Sequence, residues 1–250
     1  GVQTCALPIF EQLDNKVDTI LCPVGGGGII SGVAVAAKAL NPNVKIVGVQ
    51  TANIPSMKES IKNGKVTTAF NDTTIADGIA VKTPGDLTFE IINELVDEIV
   101  VVEETEIAES ILFMMESQKI VSEGAGAVCT AAILSGKYVP AKDENVVCII
   151  SGGNIDINTL YRIIGVALAK EGRRYSFSTI MEDKPGNFAE LTRIISENGG
   201  NILSANQGKL SAGEALGKQS AEFILETIDY DHIARIKKAI EEKGFKIIEL

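Results

Sequence analysis

The chain has 250 residues, a formal net charge of −10 and an isoelectric point near 4.8. Its lysines and arginines form no cluster, so neither nucleic acid nor an anionic membrane is expected as a partner. No apolar run approaches the ~20 residues that a membrane-spanning helix needs, and no signal peptide is visible. The four cysteines lack paired or metal-ligand spacing, and a single histidine argues against a histidine-based metal site. We therefore expect a cytoplasmic protein without a bound metal.

Up to about Lys170, short β-branched runs alternate with stretches of helical periodicity. The predicted strands are 19–24, 45–50, 98–102 and 146–150. The predicted helices are 29–40, 56–63, 84–96, 105–118, 122–135 and 156–169. Strands that alternate with helices predict an α/β fold, in which a parallel sheet carries helices on both faces.

Two glycine-rich loops follow predicted strands. The first contains four consecutive glycines, 25–28, and leads into a helix. Successive glycines let backbone N–H groups turn toward one point, and the helix adds its positive end, which predicts a phosphate site. The P-loop and dinucleotide patterns are not met, and a tight turn without a ligand is the alternative. The second loop is SGGN (151–154), and ligands in parallel sheets bind at such carboxyl ends of strands.

Four motifs together resemble the threonine dehydratases, pyridoxal-phosphate enzymes of the tryptophan synthase β fold type (fold type II). The motifs are PVGGGGIISG (23–32), TIADGIAVKTPG (74–85), SEGAGA (122–127) and SGGN (151–154). The resemblance implies that the tetraglycine loop, Gly25, Gly26, Gly27 and Gly28, binds the phosphate of pyridoxal 5′-phosphate. It also implies that Ser151 hydrogen-bonds the pyridine nitrogen; the alternative is that Ser151 is a helix N-cap. Glu123 either faces the cofactor or caps the helix that follows it.

A second unit follows the polar break at 171–174. Its predicted order is βαββαβ, that of ferredoxin-like folds, and DKPG (183–186) with GGNIL (199–203) resembles an ACT domain, a small amino-acid-sensing module. We predict a pyridoxal-phosphate domain over 1–172 and an ACT domain over 173–250. By resemblance, the effector-binding positions are Asp183, Pro185, Gly186, Asn187 and Asn201. The alternative for 183–187 is a plain turn and helix start.

The family's lysine, which forms a Schiff base with the cofactor, lies in a Phe-Lys context well before the tetraglycine loop. Lys16, in the surface-like stretch DNKVD, is the one lysine before Gly25 and does not fit. The family's asparagine-rich substrate loop is missing as well, so no catalytic residue is assigned. We expect a C-terminal part of a longer protein, inactive on its own, in which residues 1–9 are not native.

The resemblance implies a homo-oligomer that deaminates L-threonine to 2-oxobutanoate and ammonia, and L-serine to pyruvate, by β-elimination. An amino-acid or nucleotide effector would act through the ACT domain, whose spacing over 216–227 resembles the catabolic type. One alternative is another enzyme of this fold type, such as a serine dehydratase, serine racemase, threonine synthase or cysteine synthase. Another is a non-catalytic regulatory protein that binds amino acids. In serine racemases a metal-binding carboxylate occupies the position of Gln50, so no metal is expected there.

Overall fold

The computed structural model describes residues 6–70, 73–209 and 217–250. Contacts between residues divide the chain into two compact units, 1–164 and 165–250. The division falls inside a helix, several residues before the boundary at 172/173 that the sequence suggests, and that boundary stays a prediction.

The first unit contains a four-stranded parallel sheet with the strand order β3-β2-β1-β4. Its strands are β1 (Thr19–Pro23), β2 (Lys45–Thr51), β3 (Glu98–Val102) and β4 (Val146–Cys148). Its helices are α1 (Ala6–Gln12), α2 (Gly28–Leu40), α3 (Ser56–Asn63), α4 (Asp86–Leu95), α5 (Glu104–Phe113) and α6 (Gly124–Leu134). The helix α7 (Ile157–Lys170) contains the division between the units.

Helices cover the sheet on both faces, as predicted. Ile20 and Cys22 of β1 belong to one apolar cluster with residues of α2, whereas the intervening Leu21 points to the opposite face and is equally buried. There α6 packs on β1, β2 and β3, and α5 packs on α6. Because both faces of the sheet are buried, the strands have continuous apolar runs and no alternation of apolar and polar residues.

The start of α5 differs from the prediction. The sequence predicts a helix over 105–118 with Thr105 at its cap, but the N-cap residue is Glu103, whose N–H donates to Glu106 Oε2 at 2.8 Å in a capping box. The predicted single helix over 105–118 also ends earlier, because Met114–Gln118 forms a π-helical turn. Carboxylates at helix starts complement the positive end of the helix, which explains the cap that the sequence pattern missed.

The second unit has the predicted βαββαβ order. Its elements are β5 (Arg174–Glu182), α8 (Asn187–Glu197), β6 (Asn201–Lys209), β7 (Lys218–Glu226), α9 (Tyr230–Glu242) and β8 (Lys246–Glu249). They form an antiparallel sheet with the order β6-β7-β5-β8. The rings of Phe177 and Phe223 stack in its core with centroids 5.3 Å apart. The sequence predicts a strand over 201–210 and an ACT-like spacing over 216–227, but Leu210 and Leu216 lie outside the described residues.

The helix α7 ends in a Schellman motif. Gly172 takes the left-handed conformation with φ of 71°, its N–H donates to the Ala169 carbonyl at 3.1 Å, and the N–H of Arg173 donates to the Leu168 carbonyl at 2.8 Å. The Thr227 hydroxyl donates to the Gly172 carbonyl at 2.6 Å. These bonds join the helix end to the strand β7 and fix the start of β5 beside it.

The single histidine of the chain, His232, lies near the C-terminus, where the sequence predicts a surface helix, but it is a core residue. It is 2 % exposed. Its Nδ1 accepts from the Ile228 N–H at 3.1 Å, so Nε2 carries the proton and donates to the Asn198 carbonyl at 2.8 Å. The histidine therefore joins two backbone segments of the second unit.

Glu144 holds together the amino-terminal edge of the first sheet. Its Oε1 accepts from the Thr19 and Tyr138 hydroxyls, each at 2.5 Å, and its Oε2 accepts from the Ala141 N–H at 2.6 Å. These hydrogen bonds, that of Thr19 foremost, lower the pKa of the Glu144 carboxyl. Burial raises the pKa of Tyr138, which keeps its hydroxyl protonated as a donor.

We predict that Glu144→Gln destabilises the first unit by about 1–3 kcal/mol at pH 7, because the glutamine amide presents a donor where these groups need an acceptor. The folded-state pKa lies below the ordinary 4.5, so this stabilisation is present above that pH and is lost as pH falls through the folded value. Scanning calorimetry should show the wild-type advantage shrinking below about pH 4.5.

Asp143→Asn is the matched control, because Asp143 is exposed and its φ of 66° suits asparagine. Equal melting temperatures for Glu144→Gln and Asp143→Asn would contradict this account.

Candidate active site

The strand order creates a crevice at one place along the carboxyl edge of the first sheet. From β1 the chain moves to β2 and β3 on one side, and later returns to β4 on the other side of β1. Leu21 of β1 is aligned with Cys148 of β4, so the loops after these two strands leave the sheet side by side. Ligands of open parallel sheets bind at such a topological switch point. The two predicted glycine-rich loops are the two that meet here.

The tetraglycine loop presents unpaired donors. The N–H groups of Gly25, Gly26 and Gly27 have no hydrogen-bond acceptor among the described residues. Gly28 is the first residue of α2, whose opening N–H groups lack partners within the helix. Gly27 has a φ of 94°, which a side chain would strain. The unpaired N–H groups and the positive end of α2 suit an anion such as a phosphate.

The glycines serve two different purposes. A Cβ on Gly25 would lie 3.0 Å from the Ile79 Cα, and one on Gly27 would lie 2.8 Å from the Thr88 Cβ, so both positions need glycine for the fold itself. A Cβ on Gly28 would meet nothing within 4 Å. The absence of a side chain there leaves open space in front of the helix end, and the loop therefore fits a phosphate group.

The motif over 74–85 packs against the tetraglycine loop. The Gly26 carbonyl accepts from the Thr88 hydroxyl at 2.6 Å and from the Gly85 N–H at 3.4 Å. These two bonds direct the Gly26 carbonyl away from the crevice. The N–H groups of the loop are thereby left as its free polar groups.

Glu104 fastens the same motif to the sheet, a role that the sequence pattern did not reveal. Its Oε1 accepts from the Thr51 and Thr74 hydroxyls, each at 2.7 Å, and its Oε2 accepts from the Ile75 N–H at 2.7 Å. An acidic residue in the first turn of a helix at the carboxyl edge was the available signal. This signal did not show that the Glu104 carboxylate would accept hydrogen bonds from residues of a different loop.

The SEGAGA motif joins two loops through close backbone contacts. A Cβ on Gly124 would lie 2.1 Å from the Ile75 carbonyl oxygen, and one on Gly126 would lie 2.5 Å from the Gly152 carbonyl oxygen. The buried Ser122 hydroxyl also donates to the Gly152 carbonyl, at 3.1 Å. All four motifs thus meet at the carboxyl edge of one sheet.

Glu123 lies between two of these loops. It occupies the N-cap position of α6, but its side chain makes no capping hydrogen bond. Its Oε1 is 2.3 Å from where a Gly152 Cβ would be, and 3.4 Å from where a Gly78 Cβ would be. The half-buried carboxylate accepts no hydrogen bond from the described part of the chain. It is therefore available to a ligand.

The helix-cap alternative for Ser151 is wrong. Asp156 caps α7, because its Oδ1 accepts from the Thr159 N–H at 3.0 Å. Ser151 lies five residues earlier, is exposed, and its hydroxyl has no partner among the described residues. Its contact with the pyridine nitrogen stays a prediction.

The five predicted effector residues do not form one site within a single copy of the chain. Four of them, Asp183, Pro185, Gly186 and Asn187, lie together in the turn between β5 and α8. Asn201 begins β6, which runs parallel to β5, so it lies at the other end of the sheet, about 25 Å away along nine residues of strand. There Asn201 Nδ2 donates to Glu226 Oε2 at 2.8 Å. The turn stays a predicted effector site.

Other polar groups of the first unit have structural roles. The buried Gln50 amide donates to the Val24 carbonyl at 3.2 Å and accepts from the Lys58 N–H at 2.9 Å. Burial raises the pKa of the Cys148 thiol to about 11, which keeps it protonated at neutral pH. Over residues 6–70, 73–209 and 217–250, no three metal-binding side chains cluster. None of the helices in these ranges is long and apolar enough to cross a membrane.

We predict that Gly124→Ala destabilises the first unit by about 3 kcal/mol or more, because its Cβ would overlap a backbone carbonyl that cannot rotate away. Gly28→Ala is the control. It meets no atom and loses backbone freedom only in the unfolded chain, so its stability should be unchanged or higher by about 0.4–1 kcal/mol. Scanning calorimetry measures both, and a mild effect of Gly124→Ala would show that the loops do not approach so closely.

Comparisons with known proteins agree with this geometry. A family model described as pyridoxal-phosphate dependent enzyme matches residues 1–152, and a model described as ACT domain matches residues 175–245. The first match includes residues 1–9. That these nine residues are not native stays a prediction. An L-threonine ammonia-lyase of Thermotoga maritima is 45% identical over 247 residues, which are 99% of this chain.

Two solved structures resemble the chain over about two thirds of its length. The processed form of threonine deaminase isoform 2 from Solanum lycopersicum has a TM-score of 0.61 and 34% identity over 67% of this chain and 49% of its own. The serine racemase of maize has a TM-score of 0.60 and 37% identity over 64% of this chain and 50% of its own. The chain spans 61% of the length of the Thermotoga relative.

The family model covers more than half of the chain, and the resemblance read from the four motifs is confirmed. The ACT resemblance of the second unit is confirmed as well. The chain belongs to the pyridoxal-phosphate dependent enzymes and carries an ACT domain after its enzyme region.

Proposed function

We propose that the protein containing this chain deaminates L-threonine to 2-oxobutanoate and ammonia, and L-serine to pyruvate, with ACT-dependent regulation. The observation that carries the proposal is the 45% identity to an L-threonine ammonia-lyase across 99% of the chain. The convergence of all four motif segments on one crevice supports it. Because the chain spans 61% of that relative, the activity is proposed for the whole protein.

We propose that the N–H groups of Gly25, Gly26, Gly27 and Gly28 bind the cofactor phosphate and that the Ser151 hydroxyl meets the ring nitrogen. When bound, pyridoxal phosphate supplies an electron-withdrawing ring that stabilises negative charge at the substrate α-carbon. A neutral hydroxyl, unlike a carboxylate, does not hold a proton on the ring nitrogen. The Ser151 hydroxyl would therefore hold the ring nitrogen without adding charge, and the ring would supply moderate electron withdrawal, which suits loss of a β-hydroxyl.

The charges around the crevice orient its ligand. The tetraglycine end is electropositive through its N–H groups, whereas the Glu123 carboxylate brings negative charge between Gly78 and Gly152. A phosphate is attracted by the first end and repelled by the second. Glu123 thus acts as a positioning residue.

The lysine that binds the cofactor covalently is proposed to lie in the part of the protein outside this chain. No lysine of the chain stands in the Phe-Lys context before Gly25. The 250-residue chain is accordingly proposed to be inactive alone.

The direct test is an assay of the protein from the complete genomic reading frame that encodes this chain. We expect 2-oxobutanoate from L-threonine and pyruvate from L-serine. Conversion of L-serine to D-serine without 2-oxobutanoate would support the racemase alternative, which the resemblance to the maize enzyme raises. Binding of threonine without turnover of either amino acid would support the regulatory alternative.

We predict that Gly28→Ala weakens binding of pyridoxal phosphate to the 250-residue chain by about tenfold or more, because its methyl group fills the space in front of the helix end. Isothermal titration calorimetry measures the affinity. Leu40→Ala, at the exposed opposite end of α2, is a control that should bind like the wild type. Equal affinity for the wild type and Gly28→Ala would place the phosphate elsewhere, whatever the activity of the intact protein.

A further inference from the structure

The first unit has another concave site, which lies away from the crevice. A cavity of about 350 Å³ opens between α3 and the beginning of β3, the outermost strand of the parallel sheet. We call it the edge cavity; it is lined by Lys58, Ile61 and Lys62 of α3 and by residues 96–99. Small-molecule sites have volumes of about 300–1,000 Å³, so the edge cavity is large enough for a ligand. The crevice lies at the carboxyl ends of the strands, whereas the edge cavity lies where β3 begins.

The floor of the edge cavity is apolar. It is formed by Ile61 of α3, Val96 after α4 and Ile99 of β3. These three side chains are half-buried and pack against the apolar cluster that contains Ile20 and Cys22. Because a close-packed core holds them in place, the floor keeps its shape, and its exposed part offers apolar surface to a ligand.

The two carboxylates at the edge cavity already have partners. Asp97 Oδ2 accepts from Lys38 Nζ at 3.0 Å and from the Ile46 N–H at 2.7 Å. Glu98 Oε2 accepts from Lys45 Nζ at 3.2 Å. Both negative charges are therefore balanced by lysines from outside the lining of the cavity.

The two lysines that line the edge cavity are not balanced in this way. Lys58 and Lys62 are one turn apart on α3, and neither ammonium group makes an ion pair with a described residue. Lys58 is in the first turn of the helix, where a positive charge opposes the helix dipole, so helix stability does not explain a lysine there. Two ammonium groups beside an apolar floor suit a ligand with an anionic head and an apolar tail.

We propose that the edge cavity binds a small aliphatic carboxylate. Its chain covers the apolar floor, and its carboxylate accepts from the ammonium groups of Lys58 and Lys62. A carboxylate without a chain would gain only exposed ion pairs, which contribute little. A chain without a charge would leave both ammonium groups unmatched. The proposal does not depend on the proposed enzymatic activity.

Isothermal titration calorimetry on the 250-residue chain tests the ligand class, with hexanoate as the probe. Acetate has the same charge without the chain, 1-hexanol has the chain without the charge, and hexylammonium has the opposite charge. Hexanoate should bind about tenfold or more tightly than acetate, because its chain is buried. It should bind about fivefold more tightly than 1-hexanol, and hexylammonium should bind most weakly of the three six-carbon compounds. Absence of hexanoate binding would overturn the proposal, and so would equal binding of hexanoate and 1-hexanol.

The variant Lys58→Glu separates the site from the fold. A carboxylate in the first turn of α3 complements the helix dipole, so the variant should melt at the same or a higher temperature than the wild type. It should bind hexanoate about tenfold more weakly and hexylammonium more tightly than the wild type does. Misfolding cannot produce this gain. The control Lys65→Glu makes the same change of charge at an exposed residue outside the lining and should bind like the wild type. Equal hexanoate affinities for the two variants would contradict the proposal.

Amide chemical-shift mapping by ¹⁵N NMR locates the bound hexanoate. The largest shifts should fall on the amides of Ile61 and of residues 96–99, while those of Gly25–Gly28 stay unmoved. Largest shifts at the tetraglycine loop would place hexanoate in the crevice and would overturn the assignment to the edge cavity.

Discussion

The parallel pairing of β1 with β4 is the contact on which the active-site region depends. Leu21 and Cys148 are aligned across these strands, although they are far apart in the sequence. Parallel strands end at the same edge of a sheet. The register of β1 and β4 therefore places the tetraglycine loop beside the SGGN loop. A shift of one residue would turn the half-buried side chains of β4 to the wrong face. The geometry of the crevice therefore depends on the register of these two strands.

The loops can meet at this edge only because their backbones approach without side chains. Gly124 contacts the Ile75 carbonyl, Gly126 contacts that of Gly152, and Gly25 lies against Ile79. These glycines are requirements of packing, whereas Gly28 leaves space for a ligand. The distinction explains how a chain with a net charge of −10 can offer a phosphate site. The donors are backbone N–H groups and a helix end, so recognition needs no basic side chain.

Local patterns were sufficient to predict the α/β sheet, the βαββαβ unit and both glycine-rich loops, because each depends on periodicity and on glycine at consecutive positions. These patterns failed where contacts between residues distant in the sequence determine the local structure. Glu103 caps α5 through a carboxylate, His232 turns inward to bond the Asn198 carbonyl, and Asn201 lies far from the turn after β5. The role of Glu104 was not visible in the sequence for the same reason, since the groups that donate to its carboxylate come from other elements.

Backbone N–H groups at the switch point form the proposed site for the cofactor phosphate. Amide chemical-shift mapping by ¹⁵N NMR, with the 250-residue chain titrated with pyridoxal phosphate, tests it most directly. We expect the largest shifts at the amides of Gly25–Gly28 and smaller ones at Ser151–Gly153, with no comparable change in the second unit. Saturable binding that leaves the amides of the tetraglycine loop unmoved would contradict it.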